Sequence, residues 1–445
     1  MMKEVIMSAP VTERRHLKAV LAACLLGALT LGGMPAQAAQ QGGPIINSTV
    51  FRDQHVRGVT AVTDVFGRSQ RTTAAIIEYD TPLRNADVDA ALWSVTNRHI
   101  VRAYVNNKPE RAAQGHDGRY VVLELDPDDG DSESVIFAPD VEQPATVVVS
   151  QTQALTAANG SSIAASAQPL INTRQVNQIV DDFRQFTYVD AETGLSLTYN
   201  LYIPKNYDPH KRYPLVLFMH DYGVTGTNPL RTLEQGLGAV SFASPEYQAR
   251  HPAFVLAPQY PVGLANDAFQ TSDYVDVTAR LVKSLTHRYR IDSHRLYTTG
   301  QSGGCIASIA LNLKYPKLFA ATLLVAGQWD PEVVASMADK KLWIIVSQDD
   351  DKAWPGMNSL VAKWEQNGAK VTRATWNGRS SDQEFATAAA AMLKEGANSN
   401  MYFTSFEKGT VIPANVTSAA SGHVWTWPIA YRIPAVRDWL FTQSK

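Results

Sequence analysis

Cysteine is nearly absent from this chain of 445 residues, which holds two, Cys24 and Cys305. If the leader described below is removed, Cys305 stands alone. No intrachain disulfide can then form, stability must come from a buried core, and a metal cluster built on cysteine is excluded. A surplus of charge is missing too. Forty Lys and Arg face 42 Asp and Glu, a formal net charge of −2, so there is no basic field of the kind that draws nucleic acid. No propeller-type repeat marks a dedicated peptide-binding module. What is present is an ordinary globular balance, 45% hydrophobic and 18% charged, in a chain long enough for two or three domains.

The first forty residues stand apart. Arg14, Arg15 and Lys18 precede V-L-A-A-C-L-L-G-A-L-T-L-G-G-M and then P-A-Q-A-A-Q. A basic start, an apolar stretch of about fifteen residues and an Ala-x-Ala site describe a secretory signal peptide over residues 1–38, with cleavage after Ala38. The stretch is short for a membrane span and ends in small residues. L-A-A-C at 21–24 resembles a lipoprotein site, but most of the apolar segment follows Cys24 rather than preceding it. Removal would take away four cations and two anions and move the net charge from −2 to −4. The expectation is a secreted or periplasmic protein with no membrane span after cleavage.

Residues 39–150 carry short β-rich runs, T-A-A-I-I-E-Y, I-V-R-A-Y-V, Y-V-V-L-E-L and A-T-V-V-V-S, separated by turn residues such as D-P-D-D-G-D. That spacing predicts an all-β sandwich. N-G-S-S-I-A-A-S-A-Q-P (159–169) is small and polar, and 151–182 is read as a linker or loose connection. From 183 to 445 continuous apolar runs, L-V-L-F-M-H, F-V-L-A-P-Q, L-Y-T-T-G, A-T-L-L-V-A-G, L-W-I-I-V-S and M-Y-F-T-S-F, alternate with helical stretches at Tyr274–Tyr289 and Cys305–Tyr315. Runs without strict alternation fit parallel strands covered on both faces, hence an α/β domain with a mostly parallel sheet.

The third of these runs leads into T-G-Q-S-G-G-C, a Gly-x-Ser-x-Gly pattern around Ser302. In a chain this long a chance match numbers on the order of 0.1, so context decides. The serine lies where a strand hands over to a helix. There a nucleophile needs strained backbone angles, small neighbours and the positive end of a helix. A hydroxyl also needs a base. Downstream of Ser302 the chain has a single histidine, His423, in a stretch read as a loop after the last strand. An acid that orients the imidazole should follow the strand between them. L-W-I-I-V-S runs into Asp349, Asp350 and Asp351, with Asp330 as an alternative. Oxyanion donors are expected at the backbone N–H of Gly303, after the nucleophile, and of Tyr222, in the turn following L-V-L-F-M-H-D. His220 is expected to brace that turn. Trp329, Trp354, Trp425 and Trp427 would line a substrate pocket or pack beneath loops.

With these motifs assembled, residues from roughly 175 to 445 resemble secreted α/β-hydrolase esterases, often labelled predicted peptidases, that carry an Ig-like N-terminal domain. The catalytic half is of the prolyl-oligopeptidase/dienelactone-hydrolase kind. The stretches that carry the resemblance are D-F-R-Q-F-T-Y-V-D-A-E-T-G-L-S-L-T-Y-N-L-Y-I-P, L-F-M-H-D-Y-G, F-V-L-A-P-Q-Y, T-G-Q-S-G-G, S-Q-D-D-D-K-A-W-P-G-M-N and G-H-V-W-T-W. In the family the acid loop reads Ser-x-Gly-Asp-x-x-Ala-aromatic-Pro-Gly-Met-Asn. Its aspartate falls on Asp350, and Asp349 stands where relatives have glycine. The elbow departs as well, with one residue fewer between Ser302 and the glycine pair than in many relatives, so that Gly303 takes the oxyanion position. The resemblance implies an α/β-hydrolase fold behind an Ig-like sandwich, and a serine carboxylesterase that needs no metal or cofactor. Its partner would be a small or polymer-borne ester. A serine peptidase with the same groups, and a non-catalytic carbohydrate-binding or adhesion protein, are the alternatives. No oligomeric state is assigned.

Overall fold

The computed structural model describes residues 55–130, 134–138, 141–414, 416 and 421–445, all within one unit spanning Gln41–Lys445. The expected leader, with Arg14, Arg15, Lys18, Cys24 and the cleavage at Ala38, lies outside the described residues.

Nine strands make the larger sheet: β1 (Arg184–Val189), β2 (Ser196–Tyr202), β3 (Tyr213–Met219), β4 (Phe254–Gln259), β5 (Ile291–Gln301), β6 (Ala321–Val325), β7 (Leu342–Ser347), β8 (Val371–Trp376) and β9 (Met401–Phe406). Their order is β1-β2-β4-β3-β5-β6-β7-β9-β8. β1 with β2 and β2 with β4 pair antiparallel, and the other pairs are parallel. Every residue of β3, β4, β6, β7 and β9 is buried, because helices cover both faces. The outermost strands β1 and β8 are partly exposed and mix polar with apolar residues, so no continuous apolar run marks them in the sequence. One face of the sheet carries Trp343, Trp364 and Tyr431. The other packs against Leu281, Val282 and Leu285 of the helix Tyr274–Arg288. The helix Gly303–Lys314 serves both cores, giving Cys305 and Ile309 to one and Ala307 and Leu311 to the other.

The N-terminal domain is a sandwich around Val59, Ile77, Trp93, Val121, Leu123 and Val149. Its main sheet is built on the hairpin Val56–Phe66 and Ser69–Leu83. The expected linker 151–182 is corrected by the structure. Leu155–Thr156, Ser162–Ile163, Leu170–Ile171 and Arg174–Asn177 are strands, and the last pairs parallel with Val56–Phe66. These strands are too short to show periodicity. Backbone pairing and buried polar groups hold them, as where the Asn172 side chain accepts from Val147 N at 2.8 Å and donates to Ala145 O at 3.0 Å.

The two domains meet at the tip of that hairpin. A Cβ on Gly67 would fall 2.4 Å from Pro428 Cβ, and one on Gly236 would fall 2.2 Å from Gly67 O. Both positions therefore need glycine, and the Arg68 guanidinium lies over Trp425, 5.2 Å from the ring centre. Among the described residues no helix is long and apolar enough to cross a membrane.

Candidate active site

β5 ends at Gln301 and the next helix begins at Gly303, leaving Ser302 as the hinge. Its backbone sits at φ 51°, ψ −117°, a region that bulky L-residues avoid and that marks stored strain. Two glycines permit the turn. A Cβ on Gly304 would come within 2.0 Å of Met219 O, and one on Gly300 within 2.5 Å of Gly304 carbonyl atoms. Strand and helix thus approach closely enough to lift the serine hydroxyl off the sheet edge.

The Ser302 hydroxyl lies 2.8 Å from His423 Nε2, and His423 Nδ1 lies 2.5 Å from Asp350 Oδ2. Asp350 Oδ1 accepts from Ala353 N at 2.8 Å and Lys352 N at 3.1 Å. Burial pushes the Asp350 carboxyl up, but the hydrogen bond and charge of His423 and these two amides outweigh it, holding the group below its usual range. The other acids are elsewhere. Asp349 Oδ2 accepts from Gly409 N, Asp330 accepts from Glu332 N, and Asp351 is exposed.

His423 is not in a loop as expected but in the first turn of a helix, Ser421–Arg432. Gly422 and Pro428, both poor helix formers, hid that helix in the sequence. Gly422 has a role that sequence reasoning missed, since a Cβ there would fall 2.3 Å from Asp349 O. Its small size lets the acid loop reach the histidine.

Gly303 is the first residue of its helix, so its N–H has no intrahelical partner. The Tyr222 amide lies alongside, 3.2 Å from where a Gly303 Cβ would stand. The turn that presents Tyr222 is held from below. Asp221 Oδ1 accepts from Gly223 N at 2.8 Å, and Gln301 Nε2 donates to Asp221 Oδ2 at 3.2 Å. His220 is buried; its Nε2 accepts from Tyr260 N at 3.0 Å, and its Nδ1 bonds Asp221 O at 2.7 Å. Burial, the largest influence, pushes its pKa down. A neutral ring that donates at one nitrogen and accepts at the other is a brace, not a base.

Ser302, His423 and Asp350 open onto a cavity of about 390 Å³, whose walls include Ile306, Gln328, Asp267 and Lys352. None of the expected tryptophans lines it. Trp329 is buried beneath Phe269, with ring centres 5.5 Å apart. Trp354 stacks on Phe403, and Trp427 meets the His423 ring edge to face. Trp425 lines a separate apolar cavity of about 540 Å³ at the domain junction, with Phe66, Leu237, Val411 and Ile429. Among the described residues no cluster of three His, Cys, Asp or Glu side chains could hold a metal.

Comparison with known proteins gives this geometry a family. Residues 58–164 match the model for an esterase Ig-like N-terminal domain, and residues 191–432 match that described as Putative esterase. The crystal structure of a thermostable esterase superposes with a TM-score of 0.74 at 27% identity, covering 88% of this chain and 100% of that one. More distant matches include the feruloyl esterase module from Clostridium thermocellum, an S954A mutant complexed with sinapinate (TM-score 0.39, 14% identity, 57% of this chain and 86% of that one). Another is a dipeptidyl aminopeptidase IV-type structure from Bacteroides ovatus (TM-score 0.38, 13% identity, 67% and 42%). No curated protein matches the chain. With more than half of its length under the esterase model and an Ig-like domain in front, the chain belongs to this esterase family and is a hydrolase acting on esters.

Proposed function

We propose that the protein is an exported serine carboxylesterase working through an acyl-enzyme. The observation that carries this reading is the unbroken relay from Ser302 Oγ through His423 to buried Asp350, set under a strained serine. His423 Nε2 takes the hydroxyl proton as Ser302 Oγ attacks the ester carbonyl. Asp350 fixes the tautomer with the proton on Nδ1 and stabilises the imidazolium that forms. The amides of Gly303 and Tyr222 meet the developing oxyanion. His423 then protonates the leaving alcohol, and water attacks the acyl-enzyme with His423 again as base, restoring Ser302 and releasing the acid. Export follows from the leader-like first 38 residues.

The test is steady-state hydrolysis of short p-nitrophenyl esters by Ser302→Ala. The rate should fall by at least about 10³-fold, and a near wild-type rate would overturn the mechanism. Matched ester and anilide substrates separate an esterase from a peptidase using the same groups.

A further inference from the structure

The segment after β4 closes on itself beside the catalytic cavity, which its Asp267 lines. Ala265 and Thr271 form an antiparallel bridge, and Ser272 N donates to Leu264 O at 2.9 Å. At its tip Asn266 Oδ1 accepts from the amides of Ala268 and Gln270 at 3.0 and 3.1 Å. Within this small hairpin every local bond is made by residues other than Asp267. Both carboxylate oxygens of Asp267 instead reach away from it. Oδ1 accepts from Gln328 Nε2 at 2.5 Å, and Oδ2 pairs with the ammonium of Lys352. Gln328 follows β6, and Lys352 stands two residues beyond Asp350. All three line the cavity that holds Ser302.

The two attachments differ in weight. Lys352 and Asp267 are both more than half exposed, and an ion pair of that kind contributes little. Gln328 is buried at 8% exposure, so its amide needs an acceptor and finds a charged one. Phe269, at φ 61°, lays its ring on Trp329 beside this joint. Without the carboxylate, Gln328 loses its acceptor, and the strained tip has less to hold it down.

We propose that the hairpin Leu264–Ser272 is a specificity-determining wall of the ester site, and that Asp267 positions it against Gln328 and Lys352 so as to limit the length of ester the cavity admits. This rests on the reading of Ser302 as the nucleophile.

The experiment compares kcat and KM for p-nitrophenyl acetate, butyrate, octanoate and decanoate in the full chain and in Asp267→Ala, Asp267→Asn and Phe269→Ala. In Asp267→Ala the ratio of kcat/KM for decanoate to that for acetate should rise about tenfold, with KM carrying the change. Asp267→Asn keeps an oxygen for Gln328 and should fall between it and wild type. Phe269→Ala frees the tip without touching Asp267 and should shift the ratio the same way, which keeps the test intact if Asp267→Ala does not fold. A ratio unchanged in the folded variants, or a loss equal at all lengths, would overturn the proposal. Fluorophosphonate labelling of wild-type Ser302 separates the two failures. An unlabelled Ser302 sinks the nucleophile, whereas labelling with an unchanged ratio sinks only the wall.

Discussion

Two of the cavities among the described residues divide size from chemistry. The junction cavity, about 540 Å³, is walled by Phe66, Leu237, Val411, Trp425 and Ile429. The one at the end of β5, about 390 Å³, holds Ser302, His423, Asp350, Asp267 and Lys352. Volume and apolarity favour the first, yet of the two only the second joins a serine hydroxyl, an imidazole and a carboxylate in one hydrogen-bonded chain. An apolar void between two domains is what remains where curved surfaces meet, whereas a polar one must be built residue by residue.

The hydrogen-bonded relay is the most sensitive part of the smaller cavity. Asp350→Asn preserves shape but offers His423 a side chain that no longer enforces the tautomer, and kcat should fall by about 10³- to 10⁴-fold in ester hydrolysis, with folding intact by circular dichroism. A drop of less than tenfold would mean that Asp350 does not orient the base. Gly422→Val comes next. It pushes the acid loop off the histidine helix through the contact with Asp349 O, and kcat should fall by about 10- to 100-fold with KM little changed. Trp425→Ala strikes the other cavity. Thermal unfolding should come several degrees earlier through loss of a packed aromatic, while kcat/KM stays within about threefold. A larger change in kcat/KM would make the junction cavity part of the ester site after all.

The smallest expected effect lies at the domain boundary. The Glu234 carboxyl is pushed up to about 7 by burial and by the carboxylates of Glu142 and Asp181, with Arg231 opposing. Its folded value lies above the ordinary 4.5. Between those two pH values the native state keeps a proton that the unfolded chain has lost, so stability falls as pH rises through that window. Glu234→Gln should therefore raise the melting temperature at pH 8 by about 2 °C or more and leave it unchanged at pH 5. Equal shifts at both pH values would remove the titration from the explanation.

The site was far more legible in the sequence than the domain that precedes it. Ser302 stood out because an elbow needs glycines at fixed offsets between a strand and a helix. His423 stood out by scarcity, as the single histidine downstream of it. Asp350 could not be told from its neighbours by chemistry. The acid-loop resemblance pointed to it, and the structure brings its carboxylate, not theirs, to His423 Nδ1. Gly422, Gln301 and Asp267 were invisible because their roles exist only across chain separations: Asp267 meets Gln328 61 residues away, and Gln301 meets Asp221 80 away. The strands of 155–177 escaped for another reason. Two- to four-residue strands secured by backbone pairing and a buried Asn172 leave no hydrophobic period to read.

The proposed chemistry rests on one hydroxyl. Incubating the full chain with a fluorophosphonate probe, and mapping the adduct by mass spectrometry, measures it directly. The expected result is one adduct per chain, on Ser302, absent in Ser302→Ala and formed much more slowly in Asp350→Asn. An adduct on another residue, or none on an enzyme that still hydrolyses esters, would contradict it.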